Sequence, residues 1–139
     1  MTESTIGVDL RVLVRGTRSG IEGYVVEVLS AMLALPGSPA FVGFYNGWRR
    51  MPPPAAFVAS PKLTVRERAI PNRFLSLAAV VFGAPRLDRL MGGVGCVWSP
   101  HFLAAAVSLR ARRVVTFHDL SFERYPEFFT RSRRLWHWS

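Results

Sequence analysis

The chain has 139 residues, half of them hydrophobic and 19% charged, enough for one domain with a real core and too apolar for a disordered one. Its 18 Lys and Arg against 9 Asp and Glu give a net charge of +9, which points to anionic partners. The single cysteine, Cys96, excludes an internal disulfide and fits a reducing compartment or an indifferent one; the polar opening Met1 to Thr5 does not read as a secretory signal, and no apolar run reaches the ~20 residues of a membrane span.

Taken in chain order, Thr5 to Leu10, "TIGVDL", is predicted as a first strand. Arg11 to Ser19, "RVLVRGTRS", begins apolar and becomes a basic, glycine-bearing loop. Ile21, Tyr24, Val25, Val28, Leu29 and Met32 then recur at helical spacing, with Ser19 and Glu22 as an S-x-x-E capping box and Pro36-Gly37 as the stop. Ala40 to Tyr45, "AFVGFY", is predicted as a second strand, and Asn46 to Pro61, which holds three successive prolines, as a surface loop. Lys62 to Ile70 alternates apolar and charged residues, as an edge strand does. Asn72 to Met91 is predicted as a helix bent at Gly83 and Pro85, with the uncharged run Phe74 to Pro85 buried. Val94 to Trp98 and Arg113 to Phe117 are predicted as the fourth and fifth strands, the fifth buried, and Arg131 onward as the start of another helix. Strands alternating with helices predict an α/β fold with a Rossmann-like parallel sheet flanked by helices.

In such a sheet ligands bind beyond the carboxyl ends of the strands, and three segments lie there. The first is "RGTRSGIEGY", Arg15 to Tyr24, whose glycines admit a ligand to the backbone and whose helix start offers unpaired N–H groups to an anion. Its spacing is not G-x-G-x-x-G, and a flexible loop with a helix cap is the plainer alternative, Glu22 then serving as the cap's partner. The second is "WSPHF", Trp98 to Phe102, where Ser99 opens a turn and His101 either lines the cleft or sits on the surface. The third is "VVTFHDL", in which His118 and Asp119 end the fifth strand. A histidine there can hydrogen-bond a substrate hydroxyl or relay a proton; the alternative is a satisfied histidine with Asp119 forming a local turn. One cysteine and three dispersed histidines make no zinc site, and neither a G-x-S-x-G elbow nor a Walker loop is present.

The succession "RGTRSGIEGYVVEVLSAML", "VWSPHF" and "RRVVTFHDLSFERYPEFF" resembles the amino-terminal half of GT4-type retaining glycosyltransferases, also called glycosyltransferase group 1. The likeness runs over nearly the whole chain, and its most specific parts are "SGI-x-x-Y" and "V-T-x-HDLSF-x-x-x-PE-x-F". It implies a GT-B enzyme: two Rossmann-like domains across a cleft, of which residues 1–139 are part of the acceptor-side domain. It implies transfer of a sugar from a nucleotide-sugar donor to a glycan or lipid-linked acceptor with retention, without metal or cofactor. Carried over residue by residue, His118 and Asp119 are catalytic. Ser19, Gly20 and Ile21 approach the donor diphosphate, and Ser99, His101 and Tyr24 face the acceptor. His118 is then expected to orient groups and stabilise charge rather than to attack. Gly23 departs from the pattern, since family members often carry arginine there. The donor domain with its E-x7-E motif is not within these residues, so the chain is expected to be a fragment, inactive alone.

Two other readings stand beside it. A basic single-domain protein could bind nucleic acid through Arg131 to Trp138, although an amphipathic helix with a solvated basic face explains that stretch too. Alternatively, the chain is a remnant or regulator that pairs with a separate donor domain. The charge itself argues against nucleic acid: the arginines are scattered, Lys62 is the only lysine, and composition follows arginine, alanine, glycine and proline together. Nucleotide diphosphates and anionic headgroups fit as well, so a cytoplasmic protein is expected, peripheral at the inner membrane face if it binds lipid.

Overall fold

The computed structural model describes residues 5–15, 20–47, 54–119 and Arg124. Five strands, β1 (Ile6–Asp9), β2 (Phe41–Asn46), β3 (Leu63–Arg68), β4 (Cys96–Ser99) and β5 (Arg112–Val115), form one sheet in the order β3-β2-β1-β4-β5. Every pairing is parallel. The helices are α1 (Gly20–Ala34), α2 (Ala55–Val58), α3 (Asn72–Phe82) and α4 (Leu87–Leu90), and a 3₁₀ turn, Arg11–Arg15, follows β1. This is the expected Rossmann-like α/β architecture.

Each layer follows from side-chain alternation along the strands. Along β2, Phe41 and Tyr45 join Val8, Leu10 and Trp98 beneath Val25, Leu29 and Leu33 of α1. Phe44, one step out of phase, joins Val97 on the other face with Leu75 of α3 and Leu87 and Met91 at α4. Gly7 permits the second layer to close: a Cβ there would overlap the Met91 thioether and crowd Val94. Burying each of these large side chains stabilises the fold by about 1.5–3 kcal/mol.

Termini of the elements are fixed by polar contacts. The lone lysine, Lys62, donates from Nζ to the Leu35 carbonyl (2.8 Å) and Ser38 Oγ (2.9 Å), placing a cation at the carboxyl end of α1. Buried Asn46 donates to the Ile70 carbonyl (2.8 Å) and Asn72 Oδ1 (2.7 Å) and accepts from Ile70 N–H (3.1 Å), which ties the end of β2 to the start of α3.

Several expectations need correction. The predicted surface loop at 46–61 contains α2, whose Phe57 is fully buried in the α1-side core. The predicted single helix 72–91 is two, because Gly83 takes a left-handed φ of 61° and ends α3. The run Phe74 to Pro85 is not buried: Leu75 and Ser76 are, but Phe74, Leu77, Val80, Val81 and Phe82 are exposed. Nor is β5 buried. It is the outer strand with β4 as its hydrogen-bonded neighbour, and Val114 is 53% exposed. The expected helix from Arg131 lies outside the described residues.

Candidate functional site at the carboxyl end of the sheet

From β1 the chain winds outward to β2 and β3, then crosses back to β4 and winds the other way to β5. The order reverses between β1 and β4, and at such a switch point the loops beyond the carboxyl ends part and leave a crevice. The segments after β1, β4 and β5 meet there.

His118 is the hub. Its Nε2 lies 2.7 Å from the Pro100 carbonyl oxygen. A carbonyl accepts only, so Nε2 carries a proton and donates, and Nδ1 is the ring nitrogen not engaged by Pro100. The Tyr24 ring of α1 meets His118 edge-on, with centroids 4.8 Å apart and planes at 85°. His101 lies tilted against it at 6.0 Å. Three aromatic rings from three separate segments therefore converge, joined by the backbone of a fourth residue, Pro100.

The remaining predicted residues sort by placement. Gly20 is the exposed first residue of α1, with nothing among the described residues within 4 Å of where a Cβ would stand. Ile21 is half-buried, and Asp119 is exposed beside His118. Ser99 ends β4 fully buried, and its Oγ has no hydrogen-bond partner among the described residues. An unpaired buried hydroxyl costs about 1–3 kcal/mol. Ser19 lies outside the described residues, and with it the capping box; Glu22 is buried in the first turn of α1.

One part of the site's support escaped the sequence reading. Asp9 and Arg11 form a buried ion pair at the end of β1, each side chain about 1% exposed. Arg11 Nε and Nη2 donate to Asp9 Oδ1 (2.9 Å) and Oδ2 (2.7 Å), a bidentate fork, and Nη1 and Nη2 also reach the Ala104 carbonyl (3.3 and 3.4 Å). From β5, Arg113 donates to the carbonyls of Leu103 (3.2 Å) and Ala105 (3.2 Å). Three successive carbonyls of the segment carrying His101 are thus held by two guanidinium groups. Thr116, just before the hub, is fixed as well: its N–H donates to the Ser99 carbonyl (3.0 Å), and Trp98 Nε1 donates to its Oγ1 (3.1 Å). The signal that could have revealed the pair is "DLR" closing an apolar strand, where a carboxylate and a guanidinium two residues apart can share one side of the turn.

This arrangement can orient a polar ligand through the second His118 ring nitrogen and the ring edges of Tyr24 and His101. Among the described residues no three His, Cys, Asp or Glu side chains cluster to hold a metal. Comparison with protein-family models, with curated proteins and with solved structures finds no match to the chain.

Proposed function

We propose that the carboxyl-end cluster is one wall of a glycosyl-transfer cleft, the acceptor side of a GT-B, GT4-type enzyme that moves a sugar from a nucleotide-sugar donor with retention. The observation that carries this reading is the convergence of Tyr24, His101 and His118 at the switch point. These are residues that the sequence resemblance singles out, drawn from three stretches far apart in the chain.

In this reading each group has a task. His118 is positioned by Pro100 and Tyr24, and its Nδ1 lone pair accepts from a hydroxyl of the transferred sugar. A fixed acceptor of this kind orients the sugar and moderates the positive charge that develops at its anomeric carbon, without forming a bond to it. Asp119 adds negative charge next to the same sugar. Gly20 and Ile21, with Ser19 before them, bring the N–H groups at the start of α1 to the donor diphosphate, as helix starts favour anions. Tyr24 and His101 form the acceptor side, with Ser99 buried behind them at the end of β4. Glycan and lipid-linked saccharides both fit that role, and the resemblance assigns donor recognition to a second domain.

The test is turnover and stereochemistry. The product of the complete reading frame is incubated with a panel of nucleoside diphosphate sugars and with glycan and polyprenyl-phosphate acceptors, and the anomeric coupling of any product is read by proton NMR. Transfer with retention is expected. An inverted product, or binding of single-stranded oligonucleotide with no turnover of any sugar nucleotide, would reject the reading.

A further inference from the structure

At the opposite end of the sheet, where β4 and β5 begin, lies a second concavity of about 570 Å³, a volume in the range of small-molecule sites. Arg86, Arg89 and Arg110 line it, all three exposed. Among the described residues none of these guanidinium groups donates a hydrogen bond or enters an ion pair. The one carboxylate in the walls, Asp88, is already engaged: its Oδ1 accepts from Ser108 N–H at 2.8 Å. Three cations against one carboxylate leave an excess of two positive charges around one cavity.

The arginines stand on a fixed frame. Arg86 and Arg89 belong to the α4 segment, which Leu87 and Met91 anchor in the core. Arg110 sits in the turn before β5, closed by Ala111 N–H donating to the Ser108 carbonyl at 3.0 Å. A backbone bridge between Arg86 and Ala106, and Leu87 N–H donating to the Ala106 carbonyl at 2.8 Å, join the two segments. Like charges gathered in this way repel one another, and an anion among them relieves the repulsion. Part of the wall is bare main chain: at Gly93 and Gly95 nothing among the described residues lies within 4 Å of where a Cβ would stand, so a ligand oxygen can approach the backbone. On the rim stands Leu109, 103% exposed, a leucine that touches almost nothing.

The charge excess selects the ligand. A phosphomonoester carries a charge of about −1.5 to −2 at neutral pH and three acceptor oxygens, which match two excess cations and the donor forks of guanidinium groups. A phosphodiester, the group repeated along nucleic acid, carries a single charge, and aliphatic Leu109 offers no ring for a base to stack on. The cavity is larger than a phosphate group alone requires, and Leu109 gives the rest of the molecule an apolar surface to cover. We infer that the amino end of the sheet holds a binding site for a small, soluble phosphomonoester. Its phosphate lies among Arg86, Arg89 and Arg110, and its organic part rests on Leu109. This site is at the other end of the strands from the His118 cluster and does not depend on any reading of it.

The experiment is titration of the isotope-labelled 139-residue chain, followed by amide NMR at constant ionic strength, with inorganic phosphate, phenyl phosphate, dimethyl phosphate and succinate. Saturable shifts are expected at Gly93, Gly95 and Arg110, with phenyl phosphate bound tighter than inorganic phosphate and dimethyl phosphate weaker than either. Arg86→Glu/Arg110→Glu lowers the affinity at least about tenfold per lost cation, and Arg86→Lys/Arg110→Lys keeps most of it. Leu109→Ser removes the advantage of phenyl phosphate and leaves inorganic phosphate unchanged. All three positions are exposed, so the circular dichroism spectra of these variants should match wild type. Equal affinity for dimethyl phosphate or succinate, or no loss in the glutamate pair, overturns the proposal. So do shifts confined to Gly20 and Ile21, which would place the anion at the other end of the sheet. Displacement of phenyl phosphate by single-stranded oligonucleotide overturns it too, since the cleft would then be a nucleic-acid surface.

Discussion

His118 spends one ring nitrogen on the Pro100 carbonyl and keeps the other. That division sets what substitutions there should do. His118→Gln can keep a donor for the carbonyl but cannot present the same ring face to Tyr24, so it should retain little activity, and His118→Ala none of the orientation. Neither should unfold the protein, because His118 is exposed and its loss opens no cavity in either core layer. Asp9 and Arg11 are the reverse case. Removing one partner of a buried, hydrogen-bonded pair leaves a charge without compensation, so Asp9→Ala should cost about 3–5 kcal/mol in urea denaturation. Asp9→Leu with Arg11→Met should cost less than the single change, since the pair's desolvation penalty disappears with it. An equal or larger loss in the double variant would mean that the fork contributes more than its own balance, through the Ala104 carbonyl it holds.

Asp88 makes a prediction in pH. Burial alone raises its carboxyl, but the hydrogen bond from Ser108 N–H and the nearby Arg89 charge outweigh burial, and its pKa in the folded protein lies below the usual carboxylate value. A carboxyl depressed by folding stabilises the native state at pH above its unfolded pKa of ~3.9, and that contribution fades as pH falls through the folded value. The stability gap between wild type and Asp88→Asn should therefore be full at pH 7 and shrink below about pH 4. Urea midpoints at pH 7, 4 and 3 read it directly; a gap that grows on acidification would contradict the assignment.

Among the elements, α1 and α3 show what the sequence could and could not reveal. In α1 the apolar positions recur at helical spacing and Pro36-Gly37 closes it, so its span was legible, and of the predicted face Val25 and Leu29 are buried; Ile21, Tyr24, Val28 and Met32 are only half-buried, and buried Leu33 was not read. In α3 the run "FLSLAAVVF" is apolar all round, which normally signals full burial. Periodicity could not say which residues face inward, and only Leu75 and Ser76 do. The consequence is measurable. Leu75→Ala should cost about 2–5 kcal/mol as a core truncation. Leu77→Ser and Val81→Ser should stay within about 0.5 kcal/mol, as surface changes do. Strand β5 misled in the same way: "RRVV" before "TFHD" has the look of an interior strand, but its exposure depends on which element lies beside it, and that is a property of topology rather than of the segment. The hub histidine was legible from its position after β5, whereas its hydrogen bond to Pro100 joins residues 18 apart and leaves no local trace.

For the molecule as a whole, the strand order fixes where chemistry can occur. Reversal between β1 and β4 opens the carboxyl end, where Tyr24 of α1 meets His101 and His118 of the segments after β4 and β5. The amino end carries the arginine cleft and the bare leucine instead. A net charge of +9 is thus not one undirected property. Some arginines are structural, as Arg11 and Arg113 hold the His101 segment by its carbonyls, and others face solvent. Packing between the layers joins the two ends: Gly7→Ala, which drives a methyl into Met91 and Val94, should destabilise the sheet by about 1–3 kcal/mol through overpacking. Thermal unfolding would show the loss, and an unchanged midpoint would mean that Met91 can move aside freely.

The most direct test of the central claim compares wild type with His118→Ala in the product of the complete reading frame, using sugar transfer from the nucleotide-sugar donor that supports turnover. The account predicts a fall in kcat of about 10²–10³, the scale on which losing one transition-state contact is felt, with donor affinity little changed and the fold intact. Turnover that is indifferent to His118→Ala, or no turnover of any sugar nucleotide, would contradict it.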